Sequence, residues 1–118
     1  MLKEIILYGL PNCDTTRAAA KWLTIQSIAF QQVDVKTTPL STAFLKQCCE
    51  ALGWQVVLNK KSTTWRQLSP GEQSKVIGEA TAIAIIQQYP TLLKRPVVVT
   101  PNLTLVGFNE KQFEEKLK

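Results

Sequence analysis

The chain lacks histidine altogether and has only three cysteines, Cys13, Cys48 and Cys49, among its 118 residues. Without histidine, no Cys–His pair can activate a nucleophile. The cysteines are not spaced as zinc ligands are, so we expect no metal site. Their number is odd and two of them are adjacent, an arrangement that does not readily form an unstrained disulfide. Reduced thiols of this kind fit a reducing compartment.

Long apolar runs are also lacking. No stretch of about 18 apolar residues could span a bilayer, and the N-terminal residues show no basic-then-apolar secretory leader. We therefore expect a soluble cytoplasmic protein without membrane contact. The length and the hydrophobic content of 45% suit a single domain over residues 1–118. The net charge of +5 favours anionic ligands, whereas nucleic acid is only a weak inference from charge.

Cys13 lies in the stretch around which the chain is organised. Residues 5–8, Ile-Ile-Leu-Tyr, have the pattern of a strand, Gly9 and Pro11 end it, and a helix is predicted just beyond Cys13. Unpaired N–H groups at a helix start carry partial positive charge, which favours a thiolate over a thiol. We therefore predict that Cys13 is a reactive nucleophile.

The alternative is that Cys13 is a small buried hydrophobic residue, as free cysteines often are. The polar neighbours Asn12, Asp14 and Thr15 argue against burial. The Asp14 carboxylate works against a thiolate because it raises the pKa of a nearby thiol, and Arg17 can offset it as an i,i+3 partner.

The order of apolar patterns along the chain predicts an α/β fold. A helix over residues 15–26 and a strand over residues 30–35 complete a βαβ unit, whose right-handed crossover makes its strands parallel. A helical insert follows over about residues 40–90. Strands over residues 97–100 and 103–106 then form a hairpin, and Asn109 with Gln112 caps a last helix.

Capping residues predict individual helices within the insert. Ser41 can cap a helix over residues 42–52, and Ser69 begins a capping box for a helix expected to end at Gly78. Residues 79–88 are rich in alanine and isoleucine and are apolar on nearly all sides, so this helix is expected to pack inside the fold.

Two features of the insert have alternative interpretations. Cys48 and Cys49 fall on the apolar side of their helix, which predicts core positions, with a redox role as the alternative. Residues 59–66, Asn-Lys-Lys-Ser-Thr-Thr-Trp-Arg, are polar and basic beside an aromatic ring. They are predicted to form a solvated connection anchored by one buried ring, with nucleic-acid binding as the alternative.

Five motifs occur in order along nearly the whole chain: residues 8–15 (Tyr-Gly-Leu-Pro-Asn-Cys-Asp-Thr), 52–54 (Leu-Gly-Trp), 58–66 (Leu followed by the basic stretch), 95–97 (Arg-Pro-Val) and 106–109 (Val-Gly-Phe-Asn). Together they resemble the arsenate reductase (ArsC-like) family, most closely its YffB branch, with the Spx regulators as relatives. The resemblance implies a thioredoxin-like (glutaredoxin-like) mixed sheet with an inserted helical subdomain.

The resemblance also implies site residues. The family's glutaredoxin-like cysteine corresponds to Cys13, and its cis-proline corresponds to Pro96, which is expected beside Cys13. In the arsenate reductases the cysteine attacks the oxyanion and three arginines stabilise its charge. Arg95 matches one of these arginines, whereas the second position holds Asn59, followed by two lysines, and the third holds Phe108.

The loss of two arginines favours thiol exchange over arsenate reduction, because lysine offers a point charge where arginine offers a forked donor. The resemblance then implies a glutathione-dependent oxidoreductase with glutathione as co-substrate, no bound cofactor, and glutaredoxin as a further candidate partner. Arg95 or Lys60 is expected to hold the glutathione carboxylates.

Three polar residues near Cys13 have two interpretations. Asn12, Thr15 and Thr16 either shape the thiolate loop and contact substrate or are ordinary capping and turn residues. Thr16 occupies the position of the second cysteine in a CxxC motif, so we expect glutathione to resolve the intermediate, with Cys48 or Cys49 as the alternative.

A Spx-like transcriptional regulator is the alternative function. Such regulators resemble this chain, including residues 107–110, Gly-Phe-Asn-Glu, and bind the α C-terminal domain of RNA polymerase. Their usual redox switch is a CxxC pair, which Thr16 removes. A binding protein without turnover is the third hypothesis.

Overall fold

Four strands form one mixed sheet in the computed structural model, which describes residues 4–118. They are β1 (Ile6–Gly9), β2 (Gln31–Asp34), β3 (Val97–Thr100) and β4 (Leu103–Val106), arranged in the order β2-β1-β3-β4. β1 and β2 are parallel, whereas β3 is antiparallel to both β1 and β4. The predicted parallel βαβ unit and the predicted hairpin are both confirmed.

Seven α-helices accompany these strands within residues 4–118. They are α1 (Asp14–Ile25), α2 (Thr42–Leu52), α3 (Trp54–Val57), α4 (Thr63–Gln67), α5 (Pro70–Ser74), α6 (Glu79–Gln88) and α7 (Glu110–Leu117), with a 3-10 turn at Pro90–Leu92. No helix in this part of the chain is both long and apolar enough to cross a membrane.

The chain divides into two compact units. The sheet unit comprises the N-terminal part of the chain through Asp34 together with Arg95–Lys118, and it contains all four strands, α1 and α7. The helical unit comprises Val35–Lys94 and contains α2 to α6. Each unit has its own buried side chains.

A row of apolar side chains across the sheet forms the core of the sheet unit. The strand register aligns Leu7 with Val98 and Val98 with Leu105, and all three are buried. Apolar residues of α1 and α7 pack against this row: Ala19, Trp22, Leu23, Phe113 and Leu117. α1 and α7 therefore supply the helical side of this core.

Both adjacent cysteines lie in the core of the helical unit. Cys48 is 0% exposed and Cys49 is 4% exposed. Burial raises the pKa of Cys48 to about 12 and also raises the pKa of Cys49. The prediction that these residues occupy core positions is confirmed.

The predicted capping residues begin the helices as expected. The side chains of Ser41 and Asn109 accept hydrogen bonds from the N–H groups three residues later, at 3.0 and 2.9 Å. Ser69 forms a complete capping box with Glu72 at the start of α5. Short-range hydrogen bonds were therefore a reliable guide to where these helices begin.

The helix predicted to end at Gly78 ends earlier, at Ser74, so this prediction is wrong. Gly78 instead lies at the start of α6. The Thr81 hydroxyl oxygen accepts hydrogen bonds from the N–H groups of Ile77 and Gly78, at 3.0 and 3.1 Å. Thr81 thus caps the start of α6.

α6 is less enclosed than its composition predicted. Ala82, Ile83 and Ile86 are buried, but Ala80 and Ala84 are exposed. Alanine stabilises a helix through its backbone propensity even at exposed positions, so an alanine-rich helix need not be buried all round. The prediction of a fully internal helix is wrong for this face.

The polar and basic stretch over residues 59–66 is not wholly a loop. Its second half enters α4, where the Ser62 hydroxyl oxygen accepts a hydrogen bond from the Trp65 N–H at 3.1 Å. The Trp65 ring is partly buried. Ser62 was the available signal, because serine is a favoured N-cap residue.

We predict that Leu23→Ala lowers the free energy of unfolding by about 2–5 kcal/mol, because it leaves a cavity in the core of the sheet unit. Ile25→Ala on the same helix is the matched control. The Ile25 side chain is 66% exposed, so its truncation should change stability by no more than about 0.5 kcal/mol. Urea unfolding of both variants tests this, and equal losses would contradict the packing described.

Candidate functional site

Cys13 is the N-cap residue of α1 and ends the turn that follows β1. Its N–H donates to the Leu10 carbonyl at 3.1 Å, and its carbonyl accepts from the Arg17 N–H at 2.9 Å. The thiol is partly buried. The predicted location at a strand-to-helix turn is confirmed, and the alternative of a fully buried cysteine is wrong.

Thr16 is the buried polar residue next to the Cys13 thiol. It is 0% exposed, and its Oγ1 accepts a hydrogen bond from the Leu10 N–H at 3.4 Å. A hydroxyl that accepts one hydrogen bond still has its own proton to donate. The Thr16 side chain also hydrogen-bonds to Cys13, where it favours the thiolate and lowers the thiol pKa.

Gly9 allows Thr16 to lie this close to β1. A Cβ atom built at position 9 would overlap the hydroxyl and methyl groups of the Thr16 side chain. Any larger residue would therefore push Thr16 away from its present position. Glycine is required here by the close approach of a side chain.

Arg95 reaches the same thiol from the start of β3. Strand pairing sets Tyr8, near the end of β1, opposite Val97, and Arg95 precedes Val97 by two residues. The Arg95 side chain hydrogen-bonds to Cys13 and its charge acts on the sulfur. Arg95 is thus the cationic neighbour that was predicted for the thiol.

The peptide bond between Arg95 and Pro96 is cis, as the family resemblance implies. Pro96 is buried, and its carbonyl accepts a hydrogen bond from the Gly107 N–H at 2.8 Å. Gly107 has φ of 76°, a left-handed conformation that favours glycine. A side-chain contact between Pro96 and Cys13 stays a prediction.

Opposing effects determine the pKa of Cys13. Partial burial has the largest single effect and raises the pKa. Hydrogen bonds from the Thr16 hydroxyl and backbone N–H, together with the hydrogen bond and charge of Arg95, lower it. The lowering effects prevail, and the pKa lies below that of an ordinary thiol. This holds although Cys13 has no side-chain cap hydrogen bond of standard geometry.

The other polar residues of the turn lie on the surface. Asn12 and Thr15 are both exposed. Arg17 pairs with Asp14 as predicted, but both side chains are exposed, so the pair contributes little to stability. Of the threonines after Cys13, the structure places Thr16 rather than Thr15 against the sulfur.

Phe108 occupies the position of the third family arginine and packs against other aromatic rings. The Phe108 ring meets Phe113 edge to face, with 5.0 Å between ring centroids. Phe113 in turn lies edge to face with Trp22 at 5.5 Å. Phe108 therefore joins the aromatic cluster of the sheet-unit core and adds no charge near the thiol.

Asn59 and Lys60 belong to the helical unit. The Asn59 side-chain oxygen accepts a hydrogen bond from the Lys61 N–H at 3.0 Å. The Lys60 ammonium lies 5.6 Å from the ring centroid of Trp54 and 5.4 Å from that of Trp65. These cation–π contacts were not predicted, although the tryptophans on either side of Lys60 in the sequence were an available signal.

Acidic and thiol side chains are dispersed rather than clustered. Within residues 4–118, no group of three or more cysteine, aspartate or glutamate side chains is placed to hold a metal ion. The site around Cys13 consists of a thiol, a buried hydroxyl and a guanidinium. These groups can stabilise a thiolate and receive an anionic substrate group.

Comparison with known proteins finds relatives along most of the chain. A sequence model of the ArsC family matches residues 8–116. An uncharacterised protein of Haemophilus influenzae is 40% identical over 111 residues, which cover 93% of this chain and 96% of that protein. A global transcriptional regulator Spx of Lactiplantibacillus plantarum is 30% identical over 115 residues, covering 96% and 86%.

A solved structure shows the same fold. The structure of a YffB protein superposes with a TM-score of 0.92 at 34% sequence identity. The match covers 97% of this chain and 99% of that chain. The match therefore includes both the sheet unit and the helical unit.

We predict that Arg95→Ala raises the pKa of Cys13, because a hydrogen bond and a positive charge that favour the thiolate are lost. The pH dependence of the iodoacetamide alkylation rate reports this pKa in the wild-type protein and in the variant. In the variant the midpoint should move to higher pH and the rate at neutral pH should fall. Arg66→Ala, at an exposed arginine of the helical unit, is the control and should leave the profile unchanged.

We predict that Thr16→Val also raises the pKa of Cys13, because valine keeps the shape of threonine and removes the hydroxyl donor. It should also lower stability by about 1–3 kcal/mol, since the Leu10 N–H loses its acceptor. Thr16→Ser should retain the wild-type alkylation profile, as should Thr15→Val at the exposed neighbour. A rise in pKa with Thr15→Val but not with Thr16→Val would refute this assignment.

Proposed function

The chain belongs to the ArsC family and has its thioredoxin-like fold, and we propose that it is a glutathione-dependent thiol-disulfide oxidoreductase whose single nucleophile is Cys13. The observation that supports this most is a partly buried thiol at the start of α1, next to Thr16 and Arg95, whose hydrogen bonds lower its pKa. The thiolate is the species that attacks disulfides. Cys48 and Cys49 are poor nucleophiles by comparison, since burial raises the pKa of both.

The proposed reaction removes glutathione from a mixed disulfide. The Cys13 thiolate attacks the glutathione sulfur, the original disulfide bond breaks, and the substrate leaves as a thiolate that takes a proton from water. A second glutathione thiolate then attacks the glutathione sulfur held on Cys13. Oxidised glutathione forms and the Cys13 thiolate is released.

Thr16 and Arg95 would act in both steps. They stabilise the thiolate before attack, and they stabilise it again when Cys13 is the leaving group. A thiol of lower pKa leaves faster, so the same contacts favour resolution by glutathione. This chemistry needs no second cysteine, in accord with Thr16 at the CxxC position.

Arg95 or Lys60 is the proposed partner of the glutathione carboxylates, because each is cationic. Asn12, Thr15, Asn59 and Pro96 are proposed as further binding residues on the strength of the family resemblance. Glutaredoxin is a candidate redox partner. We propose a cytoplasmic location, where reduced glutathione keeps Cys13 in its thiol form.

Reduction of glutathione mixed disulfides is preferred to arsenate reduction. A tetrahedral dianion is bound best by forked guanidinium donors, and Asn59 and Phe108 stand where the family has two of its three arginines. The packing of Phe108 against Phe113 supports this preference, since that position contributes to the core.

The sequence similarity to Spx supports a second candidate function. This is a transcriptional regulator that binds the α C-terminal domain of RNA polymerase. The redox switch of such regulators requires a second thiol at the position of Thr16. Thr16 is buried and bound to Cys13 as a hydroxyl, so we rank this function below the oxidoreductase.

We predict that brief exposure to oxidised glutathione adds one glutathionyl group to wild-type protein and none to Cys13→Ser. Intact mass spectrometry measures the adduct. Cys48→Ala is the control and should be modified as wild type is, because Cys48 is buried. Failure of wild type to form an adduct would overturn the oxidoreductase proposal, and binding to the RNA polymerase domain would then be measured.

A further inference from the structure

A pocket in the helical unit combines three lysines with no acidic residue. It has a volume of about 300 Å³ and is lined by Gln55, Val56, Leu58, Asn59, Lys60, Lys61 and Lys94. The structure gives none of these lysines a salt bridge to a carboxylate within residues 4–118. The volume lies at the lower end of the range for small-ligand sites. The pocket therefore has unneutralised positive charge and room for a small group.

Backbone hydrogen bonds bring its lysines together from two segments. Leu58 and Leu93 form an antiparallel bridge. The Asn59 N–H donates to the Leu92 carbonyl at 2.8 Å, and the Lys94 N–H donates to the Val57 carbonyl, also at 2.8 Å. The segment with Lys60 and Lys61 is thereby joined to the segment with Lys94. The three lysines are therefore close together because their backbone segments are paired, whatever conformations their side chains adopt.

Cation–π contacts position the ammonium group of Lys60. Its ammonium lies within 6 Å of the ring centroids of both Trp54 and Trp65, the usual range of a cation–π contact. The electron-rich ring faces attract the cation without neutralising it as a carboxylate would. Lys60 is therefore positioned and still able to attract an anion.

An apolar surface completes the pocket. Val56 is 43% exposed, whereas Leu58 beside it is almost fully buried, so Val56 supplies the accessible apolar surface. Inorganic phosphate would leave this surface unused. An organic anion would bury apolar atoms against Val56 and place its negative groups among the lysines.

We propose that this pocket binds an organic anion that carries carboxylates on an apolar body. A free dicarboxylate and an acidic segment of a protein share this chemistry. The proposal shares Asn59 and Lys60 with the residues proposed above for glutathione and in that respect rests on the proposed function. It goes beyond the thiol chemistry of Cys13, since every lining residue belongs to the helical unit and binding requires no thiol.

The test is an NMR titration of ¹⁵N-labelled full-length protein with the peptide acetyl-Glu-Leu-Glu-amide. The backbone amides of Lys60, Lys61 and Lys94 should shift, and the affinity should fall as salt is raised, because exposed charges are screened. The neutral peptide acetyl-Gln-Leu-Gln-amide should produce no such shifts. Equal binding of the neutral peptide, or absence of shifts with the acidic one, overturns the proposal.

Two further ligands identify the source of the carboxylates. If adipate shifts the same amides with similar affinity, a free dicarboxylate is sufficient. If the acidic peptide binds and adipate does not, the pocket takes an acidic protein segment. Inorganic phosphate that shifts these amides as strongly as either ligand contradicts the requirement for an apolar body.

Charge variants test the pocket itself. Lys60→Met keeps an unbranched side chain against the tryptophans and removes the charge, so it should weaken binding by up to about fivefold, and Lys60→Arg should retain binding. Lys61→Gln and Lys94→Gln should each weaken binding similarly. Lys46→Gln, at an exposed position of α2, is the control. Equal loss in the control would overturn the assignment.

Binding here and reaction at Cys13 can be separated by one variant. Cys13→Ser should bind the acidic peptide as wild type does, although it forms no glutathione adduct. Loss of peptide binding in Cys13→Ser would contradict a pocket confined to the helical unit. An absent adduct with intact peptide binding would count against the oxidoreductase alone.

Discussion

The antiparallel pairing of β1 with β3 is the constraint on which the Cys13 site depends. It sets Tyr8 opposite Val97, so the turn after β1 and the residues before β3 lie at the same edge of the sheet. Cys13 lies in that turn, and Arg95 lies just before β3. The same pairing aligns Leu7 with Val98, so one strand pairing positions both the core of the sheet unit and the Cys13 site.

A buried hydroxyl, that of Thr16, stands where a CxxC motif has its second cysteine. Thr16 cannot form a disulfide, but it can donate a hydrogen bond to a thiolate, and the Leu10 N–H holds its oxygen in place. Gly9 provides the space that this arrangement needs. The site therefore suits chemistry in which an external thiol completes the reaction.

Errors in prediction occurred where local pattern and tertiary packing diverge. The capped starts of α2, α5 and α7 were predictable because their hydrogen bonds join residues three apart. The end of α5 was predicted wrongly because the prediction relied on a glycine as the stop, whereas the helix ends at Ser74 and Gly78 belongs to the start of α6. The cation–π contacts of Lys60 were missed because helical periodicity was the guide, and Trp54 and Trp65 lie in separate short helices.

The order of elements, the place of Cys13 at a helix start and the family resemblance, which implies a cis bond before Pro96, could all be inferred from the sequence. These follow from local patterns and short motifs. The tertiary structure was needed to show that Thr16 rather than Thr15 contacts the sulfur and that Phe108 packs in the core. The physical reason is that strand register and side-chain burial depend on residues far apart in the chain.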